Sequence, residues 1–195
     1  MKCPDDPNSG PGDAFGSMRL CRGLNYMYSG GTIEQKADTR GAFGVALRPT
    51  RLADMTDGLS QTALLSEAHS GTQKTALGSA TSAAGPINVV SWSPGTTYTD
   101  EHVRAACGRN GELDSLRGDV FGISERSSLY NHGAPPNATQ CDVEFYLPAG
   151  LFNPTSMHPG GVNVANADGA VTFVSDTVDQ GVWQAHATIA GNELQ

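Results

Sequence analysis

The sequence predicts an α+β fold: an antiparallel sheet with long loops, ending in a C-terminal β-hairpin and a short helix. Three observations carry that expectation. Short β-branched or aromatic runs recur along the 195 residues, separated by turn formers. Gly (24) and Pro (11) are abundant and only 16% of residues are charged, which excludes a bundle or coiled coil built from long Ala, Leu, Glu and Lys repeats. Asp168-Gly169 lies between the runs 161–165 and 170–174, a strong short-range hairpin signal.

Each element follows in order. Residues 1–20, rich in Pro, Gly and Asp, read as an extended loop. Leu24-Asn25-Tyr26-Met27-Tyr28 is a short strand ended by Gly30-Gly31. Residues 42–47 form a second strand, stopped by Pro49. One or two helical turns over 51–57 close at Gly58. Residues 62–67 (Thr-Ala-Leu-Leu-Ser-Glu) then make a buried strand, and 70–86 a Gly/Ser/Thr/Ala loop. Residues 87–92 are a β-branched strand between Pro86 and Pro94, and 94–140 an irregular excursion containing Pro135-Pro136. Over 141–147 the residues Val143, Phe145 and Leu147 alternate with Asp142, Glu144 and Tyr146, the period of a half-buried strand. After the hairpin, Asp176 caps a helix reaching about His186, with Val178, Val182 and Trp183 on one face and Gly191 beyond its end. The whole reads as a single soluble domain over 1–195, with an irregular segment at 1–20 and the hairpin and helix within 156–195.

Charge narrows the function classes. Twelve basic residues, scattered along the chain, face 20 acidic ones for a net charge of −8, which disfavours nucleic-acid binding. No run approaches the 18 apolar residues of a membrane span, and Met1-Lys2-Cys3-Pro4-Asp5 leads into a polar loop without a signal-peptide pattern. Cys3, Cys21, Cys107 and Cys141 contain no C-x-x-C pair. They suit two disulfides in any of three connectivities, hence an oxidising compartment, or four buried thiols.

No G-x-S-x-G, H-E-x-x-H, Walker or dinucleotide motif is present. His132, His158 and Cys141 could converge on a metal, although hydrogen-bonded loop histidines are the simpler reading. Asp54, Asp57 and Asp168 lie near turns and offer the oxygen ligands calcium takes; the simpler roles are an Asx turn at Asp168 and turn capping at Asp57. Asn137-Ala138-Thr139 fits a glycosylation acceptor, a common chance match. Tyr26, Tyr28, Trp92, Tyr98, Tyr130, Tyr146 and Trp183 could include a sugar-stacking platform, but strand aromatics favour the core.

One stretch is more specific. His158 is separated by nine residues from Asp168-Gly169, and this H-x9-D-G pattern resembles the signature of the prepilin-type processing-associated family, a domain of unknown function expanded in planctomycetes. Three further segments resemble that family in the expected order: Lys2-Cys3-Pro4-Asp5-Asp6-Pro7, the stretch 51–67 with Thr56-Asp57-Gly58, and Asn131-His132-Gly133-Ala134-Pro135-Pro136-Asn137 followed by Cys141. Family members begin with a prepilin leader and a long apolar helix, so the resemblance casts this chain as the soluble head without them. It implies a pilin- or pseudopilin-like fold at the cell envelope, periplasmic or extracellular. Its partners would be other pilin-like subunits or secretion machinery, with membrane contact only through the N-terminal helix. It carries no catalytic residues and no obligatory cofactor.

The motif itself reads as structural. Gly169 takes positive φ in the tight turn, Gly160 and Gly161 allow close packing, and His158 bonds a hairpin-tip carbonyl or Asp168. The expected function is therefore a non-enzymatic head for envelope assembly or secretion. The alternatives are a displayed calcium- or carbohydrate-binding module and a hydrolase. The first requires an apolar surface where the stalk helix would pack and no converging acid–base pair, the second exposed aromatics beside Asp54, Asp57 or Asp168, and the third a cleft with a His and a carboxylate in reach.

Overall fold

The computed structural model describes residues 14–15, 18–19, 26–29, 41–43, 49–68, 87–89, 112–114, 129–138, 140–142 and 150–191. Within them the chain forms eleven strands and one α-helix. These are β1 (Ala14–Phe15), β2 (Met18–Arg19), β3 (Tyr26–Ser29), β4 (Ala63–Glu67), β5 (Ile87–Val89), β6 (Glu112–Asp114), β7 (Leu129–Tyr130), β8 (Gln140–Asp142), β9 (Gly150–Leu151), β10 (Gly161–Asn166), β11 (Val171–Ser175) and α1 (Gln180–Ala185). Two 3-10 turns, Leu52–Asp54 and Leu59–Gln61, precede β4. The α+β class holds.

The sheet that positions the site has five strands in the order β11-β10-β4-β3-β7. It is not wholly antiparallel, as expected, but mixed: β3 and β7 run parallel, because a long excursion rather than a tight turn joins them. A four-stranded sheet, β6-β5-β8-β9, likewise contains a parallel pair, β5 with β8. The N-terminal segment read as an extended loop contains the antiparallel pair β1–β2. The strand expected over 42–47 begins as a turn at 41–43, and its remainder lies outside the described residues, as do 70–86, 143–149 and most of 94–128.

The C-terminal ribbon follows its sequence closely. β10 and β11 pair without interruption from Gly161↔Ser175 to Ala165↔Val171. Gly169 turns the chain at φ 86°, its N–H donating to the Asn166 carbonyl at 3.0 Å. Asp168 Oδ1 accepts from Ala170 N at 2.9 Å, an Asx turn. The tip is docked, since Ala167 N and Asp168 N donate to Thr62 O and Leu59 O. Cross-strand partners share a face, so Val162, Val164 and Val174 point one way while Asn163 and Phe173 point the other.

The first face meets α1. Trp183 packs with Ala63, Ala68, Tyr130, Val162 and Val164, flanked by Val174 and Val178. Small residues such as Ala63 and Ala68 leave room for the one large ring. The N-cap of α1 is Asp179, not Asp176, and its carboxylate accepts from Gly181 N and Val182 N. Asp176 instead follows β11 directly, its N–H held by Gly160 O. Trp183 is buried at 1% exposure while Val182, about 100° away around the helix, stands 52% exposed, so the two do not share the buried face. Beyond the helix the chain returns to the 3-10 turns. Ala63 N donates to His186 O, and Asp57 Oδ2 accepts from Thr188 Oγ1 at 3.0 Å and from Gly191 N at 2.7 Å.

Candidate functional site

Two clusters and one groove gather the residues that the sequence singles out. The first cluster lies on the outer face of the sheet. Glu67, the last residue of β4, is buried although ionisable. Its Oε2 accepts from Asn163 N at 3.0 Å, and its Oε1 accepts from Asn163 Nδ2 at 3.1 Å. His158 Nε2 lies 3.3 Å from the same Oε1. His158 therefore pairs with Glu67 and not with Asp168 or the hairpin tip. The tip is at the far end of β10, beyond the reach of a side chain anchored before its first residue. In place of the expected bond to the hairpin tip, the imidazole ties the approach to β10 onto β4.

Gly160 and Gly161 make that approach possible. Gly160 adopts φ 81°, a left-handed conformation that side chains disfavour. A Cβ on Gly161 would strike the Val174 carbonyl and come within 2.9 Å of the Phe173 ring. The Phe173 ring thus lies directly over Gly161, and only glycine fits beneath it.

The second cluster holds the Asn-His-Gly-Ala-Pro-Pro-Asn segment between α1 and residues 152–156. His132 is fully buried and stacked on Trp183, ring centroids 3.8 Å apart, with Tyr130 at 5.1 Å and His186 at 6.3 Å. Its Nδ1 lies 2.8 Å from Trp183 O, and since a carbonyl only accepts, Nδ1 carries the proton. Burial, with nearby His186 adding to it, pushes its pKa down to about 3, against the opposing hydrogen bond to Trp183 O. His186 is lowered as well, by burial. Around the segment, Trp183 Nε1 donates to Ala134 O at 2.8 Å and Gln180 Nε2 to His132 O at 3.0 Å. Asn153 bonds Ala134 N and Ala138 O, while Asn137 Oδ1 accepts from Ser156 N and Asn137 Nδ2 donates to Gly161 O. Asn137 holds φ 60°, which asparagine tolerates.

Among the described residues the metal candidates lie apart. His132 sits against Trp183 and His158 on Glu67, so these two are not brought together. The Cys141 side chain lies outside the described set, as do Cys3, Cys21 and Cys107. Asp54 accepts from Arg51 N, Asp57 from the chain after α1, and Asp168 from Ala170 N, each in its own neighbourhood. Among the described residues no three His, Cys, Asp or Glu side chains share a site. Of the aromatic candidates, Tyr130 and Trp183 are core; nothing is described of the other five side chains.

The groove runs along the edge of β11. It is lined by Phe173, Val174, Ser175, Thr177, Val178, Val182, Trp183 and His186 and encloses about 290 Å³. Its walls are largely apolar. Val171, Phe173 and Val182 are more than half exposed, at 67%, 55% and 52%. Among the described residues, no strand pairs with the outer edge of β11. The roles of Glu67, Asn163 and Asn153 are not legible in the sequence because their partners are distant along the chain. The one faint signal was a carboxylate closing the apolar strand 62–67.

Among the described residues the geometry defines a mixed sheet with a buried His132–Trp183 cluster on one face, a Glu67–Asn163–His158 cluster on the other, and an apolar groove beside β11. A model for the family described as protein of unknown function (DUF1559) matches residues 1–181, and the chain belongs to that family. No curated protein and no solved structure matches the chain. Among the described residues, no helix is long and apolar enough to cross a membrane.

Proposed function

We propose that the chain is a non-enzymatic, pilin- or pseudopilin-like head domain that serves envelope assembly or secretion by presenting a docking surface. The supporting observation is a division of labour. His158, Asp168, His132 and Asn137 each spend polar atoms on partners within the chain, whereas the groove beside β11 lies open. The order of the four resembling segments supports the same reading, and with it a periplasmic or extracellular setting among other pilin-like subunits or secretion components.

One observation favours a second reading. A buried carboxylate holding a half-exposed imidazole, as Glu67 holds His158, is the orienting half of a hydrolytic site. Against it, both Glu67 oxygens are also engaged by Asn163, and neither residue lines the groove. The test is His158→Ala assayed for melting temperature and for hydrolysis of an ester and glycoside panel. The head reading expects a lowered melting temperature and no activity in either protein. Hydrolysis by the parent chain, lost in a variant that melts normally, would overturn it. Thermal melts with calcium and with EDTA belong to the same experiment, and a calcium-dependent rise in melting temperature would favour the binding-module alternative.

A further inference from the structure

We infer that the β11 groove receives an extended apolar segment of a partner protein that carries basic residues beside its apolar ones, added as a sixth strand to the edge of the sheet. The inference deepens the assembly-head reading and rests on it. The edge is suited to pairing: β11 carries no Lys, no Pro and no bulge, and its register with β10 is unbroken over all five residues. Sheet edges that stay unpaired are usually blunted by such devices. β11 is also exposed along most of its length, so an added strand would cover Val171 and Phe173 rather than displace anything.

Charge selects the occupant. The groove lining is uncharged apart from His186, whose pKa burial lowers. The turn that closes the groove, between Ser175 and Val178, brings Asp176 beside two lining residues, and Asp179 follows at the start of α1. Asp176, between the lining residues Ser175 and Thr177, and Asp179, which also caps Gly181 N and Val182 N, thus flank the apolar lining along the chain as an acidic rim, on a chain of net charge −8. Such a rim repels nucleic acid and anionic lipid, and disfavours a second acidic copy of the same chain. It favours an apolar segment flanked by Lys or Arg.

The probe is a pair of short capped peptides of alternating valine and threonine, one flanked by lysine and the other by glutamate, titrated calorimetrically into the full chain. The lysine-flanked peptide is expected to bind saturably, and the glutamate-flanked one about tenfold or more weakly. Val182→Ser, on the exposed side of α1, should weaken the lysine-flanked peptide about tenfold by removing one apolar contact. Asp176→Lys should weaken the lysine-flanked peptide and strengthen the other. Amide exchange over 171–175 should slow on binding, which marks strand addition. Absence of saturable binding, equal affinity for both peptides, or unchanged exchange in β11 would overturn the inference. So would a concentration-dependent dimer abolished by Val182→Ser, which would make a second copy the occupant. If the peptides fail while the hydrolysis panel stays silent, only the partner chemistry is wrong. If His158-dependent hydrolysis appears, the head reading itself falls.

Discussion

Glu67 shows how much a single polar residue can hold. It is a buried carboxylate serving one backbone N–H, one amide and one imidazole, and its own carbonyl accepts from Thr155 N at 3.0 Å. Removing it strands donors of Asn163 away from water, so Glu67→Ala should cost about 2–4 kcal/mol in urea unfolding. His158→Ala removes only the half-exposed partner and should cost about 0.5–1 kcal/mol. Near-equal losses would mean that the imidazole, not the asparagine, carries the cluster. The glycines separate in the same way. Gly169→Ala meets open space and suffers only from its φ of 86°, a cost of about 1 kcal/mol. Gly161→Ala drives a methyl into the Val174 carbonyl and the Phe173 ring, and should cost about 2–4 kcal/mol or part β11 from β10. A Gly169 variant less stable than the Gly161 variant would contradict this account.

At the scale of elements, α1 has six residues, too short to persist without its cap and its packing. Asp179→Ala removes the acceptor for two otherwise orphaned N–H groups and should lower stability by about 1 kcal/mol, whereas Asp176→Ala should change it little. A denaturant series on both variants checks the assignment. Asp176 and Asp179 are equivalent as caps in the sequence, because both precede the same apolar run. Local sequence cannot tell that Asp176 is held in the hairpin exit by Gly160 O. The hairpin and β4 were legible, since alternation and an Asp-Gly turn are short-range signals. The parallel pairing of β3 with β7 was not, because nothing within either strand encodes a partner roughly a hundred residues away. The same limit hid the site: Asp168 and Gly169 reveal their turn locally, but the Glu67–Asn163 pairing spans 96 residues and depends on the β4–β10 register.

For the whole molecule, the Tyr130–His132–Trp183–His186 cluster couples folding to pH. In the folded protein His132 resists protonation until about pH 3, because burial and the neighbouring His186 oppose a second charge there. In the unfolded chain an imidazole takes up its proton near pH 6.5. Between those values the unfolded state binds more protons than the folded one, so stability must fall as pH falls. The stabilising preference for neutral His132 is complete above about pH 6.5 and erodes by about 1.4 kcal/mol for each pH unit below it, approaching 5 kcal/mol near pH 3. His186, lowered in the same direction by burial, adds to the slope. A loss of that size rivals the entire stability of a typical domain, about 5–15 kcal/mol. Carboxylate titration dominates most acid unfolding but begins only below about pH 5. The interval from pH 6.5 to 5 therefore isolates the histidines. Urea midpoints measured across it should drop for the parent chain. The His132→Gln variant, less stable at pH 7 for lack of the stacked ring, should show a distinctly shallower slope. Parallel slopes in the two proteins would place the acid sensitivity elsewhere and remove His132 from the account.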